Sequence, residues 1–216
     1  MNFHSLIEKQ REFFQQGNTR SPEFRILMLR KLQDSIRSNE GLFNNAMKKD
    51  MNKCPSEVYM TEIGMVLEEL SFHIRHLSKW VRDKRVPTPL AQFPAKSFVS
   101  PEPYGVTLIM APWNYPIQLC LVPLIGAISA GCTAVVKPSA YAPATSHAIA
   151  WVLKTIYPEE YIAVVEGGRD QNTALLEEKY DYIFFTGSPA VGRLVMESAA
   201  KNLTPVTLEL GGKSPV

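Results

Sequence analysis

Apolar residues recur at helical steps through the first third of the chain, whereas later they gather in short unbroken runs. From Ser5 to about Arg85 the pattern is that of amphipathic helices. Ile63, Leu67, Leu70, Ile74, Leu77 and Val81 follow one another at three- and four-residue intervals and line one face. A coiled coil is the rival reading. About three heptads with no long continuation favour a helix lying on a sheet or on a subunit surface. Ser21 and Pro22 fit the N-cap and first position of an earlier helix whose apolar face includes Ile26, Leu29, Leu32 and Ile36. Residues 1–85 are thus expected to form a helical layer. Residues 86–103 carry Pro87, Pro89, Pro94, Pro101 and Pro103 and predict an extended connection, with a strand near Ser97 to Ser100 that could pair with a second copy.

After Tyr104 the texture alternates. Apolar runs at Gly105 to Met110, Thr133 to Val136, Ile162 to Val165, Tyr182 to Phe185 and Val206 to Leu210 read as buried strands, each separated from the next by a helix-length stretch. Strand and helix in alternation predict an α/β fold: a doubly wound, Rossmann-like parallel sheet of about five strands over residues 104–216, with the helical layer attached. Such sheets bind ligands beyond the carboxyl ends of their strands, so the loops there are where chemistry is expected.

Composition removes several classes. The 23 basic and 21 acidic residues, net +2, are mixed along the chain and form no basic stripe for nucleic acid. Cys54, Cys120 and Cys132 make neither a disulfide framework nor a CxxC site, which fits a reducing cytoplasm. Pro103 to Val136 has no charged residue, but Pro112, Pro116, Pro123 and Gly131 divide it into strand, turn, helix and turn rather than a membrane span. The N-terminus has no secretory pattern. His73 and His76, three apart, lack a third ligand type nearby and read as structural rather than metal-binding.

Four loops could carry chemistry. In PWNYP the prolines hold Trp113 and Asn114 at the mouth of the sheet; the Asn114 amide suits an oxyanion donor, or it simply bonds its own turn. Lys137, before Pro138 and Ser139, must take its charge from a buried strand to solvent or to an anion such as a cofactor ribose or phosphate. In FTGSPAVG the strand turns through Gly187, Ser188 caps a helix with Pro189 at its first position, and free N–H groups up to Gly192 face the crevice, as in helix-terminal anion sites. Arg193 and Leu194 stand where a P-loop needs Lys and Ser/Thr, and Gly212-Lys213-Ser214 follows Thr207 where the first P-loop glycine belongs, so a P-loop enzyme is disfavoured at both. In LELGG, Glu209 between two leucines reads as a partly buried carboxylate of raised pKa, suited to a general base, or as a salt-bridged strand end.

In this order, PWNYP, VVKPS, FTGSPAVG and TPVTLELGGKSP strongly resemble the aldehyde dehydrogenase superfamily, particularly its shorter members acting on medium-chain, aromatic or fatty aldehydes. The match runs from about Tyr104 to Pro215, and the helical leader fits more loosely. The resemblance implies that Asn114 stabilises the oxyanion and that Glu209 activates the water releasing the acid. It implies NAD or NADP as cofactor, with Trp113, Lys137 and Ser139 on the adenosine side and Gly187, Ser188, Pro189, Ala190, Val191 and Gly192 at the pyrophosphate. Leu210 and Gly211 complete that site, Gly211 letting the backbone approach the nicotinamide. The family's nucleophilic cysteine follows the LELGG strand on a further domain; none of the three cysteines here has its context, so the chain alone is expected to be inactive. The resemblance further implies an aldehyde substrate and a homodimer or higher homo-oligomer. Ala140 replaces a glutamate that would hold the ribose hydroxyls, so NADP is expected to be tolerated. The alternative is a non-catalytic nucleotide-binding or assembly module of the same fold.

Overall fold

The computed structural model describes residues 3–212. Five helical segments come first: α1 (Phe3–Gln15), α2 (Pro22–Ser38), α3 (Glu40–Met51), the single turn α4 (Pro55–Val58) and α5 (Gly64–Trp80). A widened turn of π-helix, Tyr59–Ile63, joins α4 to α5. Ser21 caps α2, its hydroxyl accepting the Phe24 N–H, with Pro22 in the first turn. Leu29, Leu32 and Ile36 of α2, Ile63 at the end of the π turn, and Leu70 and Leu77 of α5 are buried. The helical reading overshoots at its end: α5 stops at Trp80, and Lys84–Val86 forms β1, paired antiparallel with β2 (Ser97–Val99).

The remaining elements are β3 (Val106–Met110), α6 (Gln118–Ala130), β4 (Thr133–Lys137), α7 (Pro143–Ile156), β5 (Ile162–Val164), α8 (Arg169–Leu176), β6 (Tyr182–Gly187), α9 (Pro189–Ala200) and β7 (Val206–Leu210). The last five strands form one parallel sheet in the order β5-β4-β3-β6-β7. Alternation divides their side chains between two cores. Ile109, Ala134, Val136, Ile162 and Val164 face α2, α3, α5, α6 and α7, whereas Leu108, Met110, Val135, Ala163, Ile183 and Phe185 face α1, α8 and α9. The expected single layer over 1–85 is therefore split: Leu6 and Ile7 of α1 pack on the opposite face from α2–α5.

Pro123 does not divide its segment. It lies inside α6, where its missing N–H removes one bond from a helix buried against the sheet and against α5. The helix ends at Gly131 in the left-handed conformation, φ 92°, as the turn requires. No described helix is long and apolar enough to cross a membrane.

Candidate active site at the switch point of the sheet

Chain order reverses between β3 and β6, with β4 and β5 on one side and β7 on the other. The loops after β3 and β6 consequently diverge and leave a crevice beyond the strand ends. Strand pairing sets the heights of the side chains around it. Lys137, Met110 and Phe185 are neighbours in one row; Thr186 pairs with Glu209 one step further, and Gly187 with Leu210 above that.

The loop after β3 is PWNYP. Trp113, Asn114 and Tyr115 are exposed, while Pro116 and Ile117 are buried and anchor the turn. Among the described residues no hydrogen bond engages the Asn114 side chain, so its amide is not consumed by its own turn. The turn is fastened from elsewhere. Glu62, fully buried in the π turn before α5, accepts from the backbone N–H groups of Ile117 at 3.0 Å and Gln118 at 2.9 Å, the start of α6. Its other oxygen accepts from the Lys53 ammonium at 3.2 Å, and that ammonium lies 4.5 Å from the centre of the Tyr115 ring. Burial pushes the Glu62 carboxyl up, and the Gln118 N–H and the Lys53 charge oppose the shift.

The loop after β4 is fastened in the same manner. Asp50, near the end of α3, accepts from the N–H groups of Ala144 and Thr145 and from the Thr145 hydroxyl, closing the start of α7. Ser139 turns the chain toward α7, its hydroxyl accepting the Tyr141 N–H at 3.2 Å. Neither Asp50 nor Glu62 stood out in the sequence. The available signals were Gly64 interrupting a helical pattern and an acid at position 62 beside the buried Ile63.

Of the two destinations expected for the Lys137 charge, solvent or an anion, burial removes the first. Only 2% exposed, its ammonium donates to the Pro138 carbonyl at 2.8 Å, the one hydrogen bond described for it. Burial holds its pKa below the usual lysine value; the nearby Cys120 and Glu166 work against that.

At β6 the strand continues through Gly187, so the turn begins at Ser188 and not at Gly187. A Cβ at Gly187 would lie 2.5 Å from the Phe185 ring, which explains the glycine without an unusual backbone. Ser188 caps α9 by accepting the Val191 N–H, Pro189 follows, and Ala190 and Val191 are exposed at its first turn. Carboxylates close the starts of α6 and α7, but among the described residues none is bonded to the start of α9. Its unsatisfied N–H groups and positive dipole end remain open to an anion. Gly192 is buried where α9 meets β7, and a Cβ there would sit 2.8 Å from the Leu210 side chain.

Glu209 is exposed, against the expectation of partial burial. It lies near the end of β7, an edge strand of the sheet, so no neighbouring strand or helix covers it among the described residues. Leu210 and Gly211 are exposed beside it, and Lys213 and Ser214 lie outside the described residues. Cys120 and Cys132 are buried, burial pushing the Cys120 thiol up to about 12 and raising that of Cys132. Cys54 is exposed next to Lys53, and bonds from Ser56 and the Glu57 backbone lower its pKa. His73 bonds Ser129 and Glu69, and no cluster of metal-binding side chains occurs among the described residues.

The sequence model of the aldehyde dehydrogenase family matches residues 1–216. The chain belongs to that family. It is 44% identical over 214 residues to aldehyde dehydrogenase family 3 member B1 of Mus musculus, covering 99% of this chain and 46% of the relative. With 4,4'-diaponeurosporen-aldehyde dehydrogenase of Staphylococcus aureus the identity is 45% over 204 residues, 94% of this chain and 44% of the relative. Among solved structures, the substrate-bound AldH of Staphylococcus aureus matches with a TM-score of 0.97 at 42% identity, over all of this chain and 47% of that one. An aldehyde dehydrogenase of Mycobacterium tuberculosis complexed with NAD+ matches with a TM-score of 0.85 at 30% identity, over 96% of this chain and 43% of that one. The chain thus spans slightly less than half the length of these members of the family.

Proposed function

We propose that this chain forms the cofactor side of an NAD(P)-dependent aldehyde dehydrogenase, with the attacking cysteine provided by residues other than Cys54, Cys120 and Cys132. The observation that carries the reading is that the PWNYP turn and the open start of α9 follow adjacent strands, β3 and β6, on the two sides of the switch point. The residues there fit a dinucleotide. Lys137 is a buried ammonium with donors to spare, suited to ribose hydroxyls, and Ser139 and Trp113 flank the same edge. Ser188, Pro189, Ala190 and Val191 offer the pyrophosphate a positive helix end that no carboxylate among the described residues neutralises. Gly187 and Gly192 let β6, α9 and Leu210 pack closely behind it, and Gly211 continues the wall.

Held by these residues, NAD(P) would supply the acceptor for the hydride that leaves the aldehyde carbon. Asn114 supplies an amide N–H to the oxygen that gains charge during attack on the carbonyl. Glu209 supplies a carboxylate to take the proton of the hydrolytic water. Two buried thiols whose pKa values are raised make poor nucleophiles, and Cys54 lies outside the sheet on the helical side. All three thiols are free, in keeping with a reducing compartment such as the cytoplasm. The exposed Phe98 and Val99 of β2, with Leu90 and Phe93, support a further reading of this extended segment as an oligomer contact.

Mixing the intact protein with NAD+ or NADP+ and medium-chain, aromatic or fatty aldehydes tests the proposal. Reduced cofactor and carboxylic acid are expected, with NADP+ tolerated at least as well as in relatives that keep the acid, because Ala140 leaves no carboxylate at that position. Glu209→Gln is expected to stall after a first turnover, and residues 1–216 alone are expected to bind cofactor without reducing it. Cofactor binding with no oxidation of any aldehyde by the intact protein would leave a binding module instead. A clear preference for NAD+ would point to Glu166, which pairs with His147 at 3.5 Å and lies near Lys137, as the acid of that corner.

A further inference from the structure

We infer that Glu62, held by Lys53, is a positioning residue for the Asn114 amide: it fixes the PWNYP turn by binding the backbone at its far end.

The turn reaches its place through one carboxylate. Asn114 is exposed and three residues from Ile117, whose N–H bonds Glu62; the next N–H, of Gln118, bonds the same oxygen. Pro116 lies between and restricts the backbone that links the two. From the other side, the Lys53 ammonium bonds Glu62 and covers the Tyr115 ring, so the residue after Asn114 is fixed as well. The segment that follows Asn114 is therefore tied, at Tyr115 and again at Ile117, to one ion pair, Lys53 with the buried Glu62.

Local geometry is adapted to deliver Glu62 there. The residue lies in a single π turn, a feature that carries an extra residue into a helix and re-aims the side chains on it. Gly64 makes this turn possible. Its N–H donates to the Tyr59 carbonyl, and a Cβ would stand 2.7 Å from that oxygen. A purely structural helix would gain nothing from a buried charge at this point, since replacing a buried ion pair by apolar residues commonly leaves stability unchanged or raises it. A carboxylate that receives two N–H groups at a helix start does what leucine cannot: it specifies the position of that start.

The inference rests on the proposed role of Asn114, and its test separates the two. The first measurement is amide exchange in the intact protein without aldehyde or cofactor. In Lys53→Met/Glu62→Leu the Ile117 and Gln118 amides are expected to exchange roughly tenfold or more faster, while Ala144 and Thr145, held by Asp50, are unchanged. The second is turnover. The same variant is expected to lose roughly tenfold or more in kcat, with KM for the cofactor within about twofold and the melting temperature close to that of the parent. Combining it with Asn114→Ala should add little to the loss caused by Asn114→Ala alone. If the apolar pair does not fold, Glu62→Gln, of nearly the same size, carries the same measurements with a smaller fall in kcat. Unchanged exchange at Ile117 and Gln118 would overturn the inference. So would kcat within about twofold of the parent, or losses that multiply independently with those of Asn114→Ala. Absence of aldehyde oxidation in the parent would defeat the reading of Asn114, and with it the catalytic half of the inference, while exchange would still decide whether Glu62 holds the turn.

Discussion

Lys137, in its proposed place at the cofactor, sets binding against stability at the scale of one residue. A buried ammonium with one described hydrogen bond is poorly compensated, and burial lowers its pKa. The unfolded chain takes up that proton below the ordinary value of 10.5, whereas the folded chain takes it up only at a lower pH. Between the two values the unfolded state binds more protons, so the folded state loses stability as pH falls through that window. Lys137→Met is therefore expected to raise the denaturation midpoint at neutral pH, to flatten its dependence on pH below about 10.5, and to weaken cofactor binding. Chemical denaturation across this range and a cofactor titration check both; a variant less stable than the parent would contradict the burial argument. The residue's position was legible in the sequence, because a lysine ending an apolar run is conspicuous. Its burial was not, since periodicity places a side chain on a face without saying what covers it. For Glu209 the difference runs the other way: flanking leucines suggest burial, but among the described residues no strand pairs with the outer side of β7.

At the scale of elements, the carboxylates at the starts of α6 and α7 link the helical layer to the loops of the sheet. Asp50→Ala removes the acceptor of three hydrogen bonds at the start of α7. It is expected to destabilise the fold by about 1–2 kcal/mol, the usual range for losing a helix cap. Urea denaturation reads this directly, and a loss below a few tenths of a kcal/mol would show that water replaces the cap. The strands and the long helices were legible because each has a period and a length. The caps were not, because Asp50 and Glu62 lie 94 and 55 residues from the groups they hold. The short pair of strands, β1 with β2, was half legible: the strand near Ser97 was expected, but its partner Lys84–Val86 is charged and exposed and carries no apolar signal.

For the whole molecule, the order β5-β4-β3-β6-β7 brings together loops that are distant in sequence; the alternation of strand and helix anticipated a doubly wound parallel sheet but not the order of its strands. Spacing could not show that α1 crosses to the face of α8 and α9, because amphipathic helices read alike whichever face they cover. The central claim is that a dinucleotide binds at this switch point, with its pyrophosphate at the start of α9 and its ribose at Lys137. The most direct test follows the backbone amide resonances of the protein during titration with NAD+. The account predicts saturable shifts concentrated at Lys137 to Ser139 and Gly187 to Gly192, with the start of α7, closed by Asp50, scarcely affected. No saturable shift, or shifts centred on another part of the chain, would contradict it.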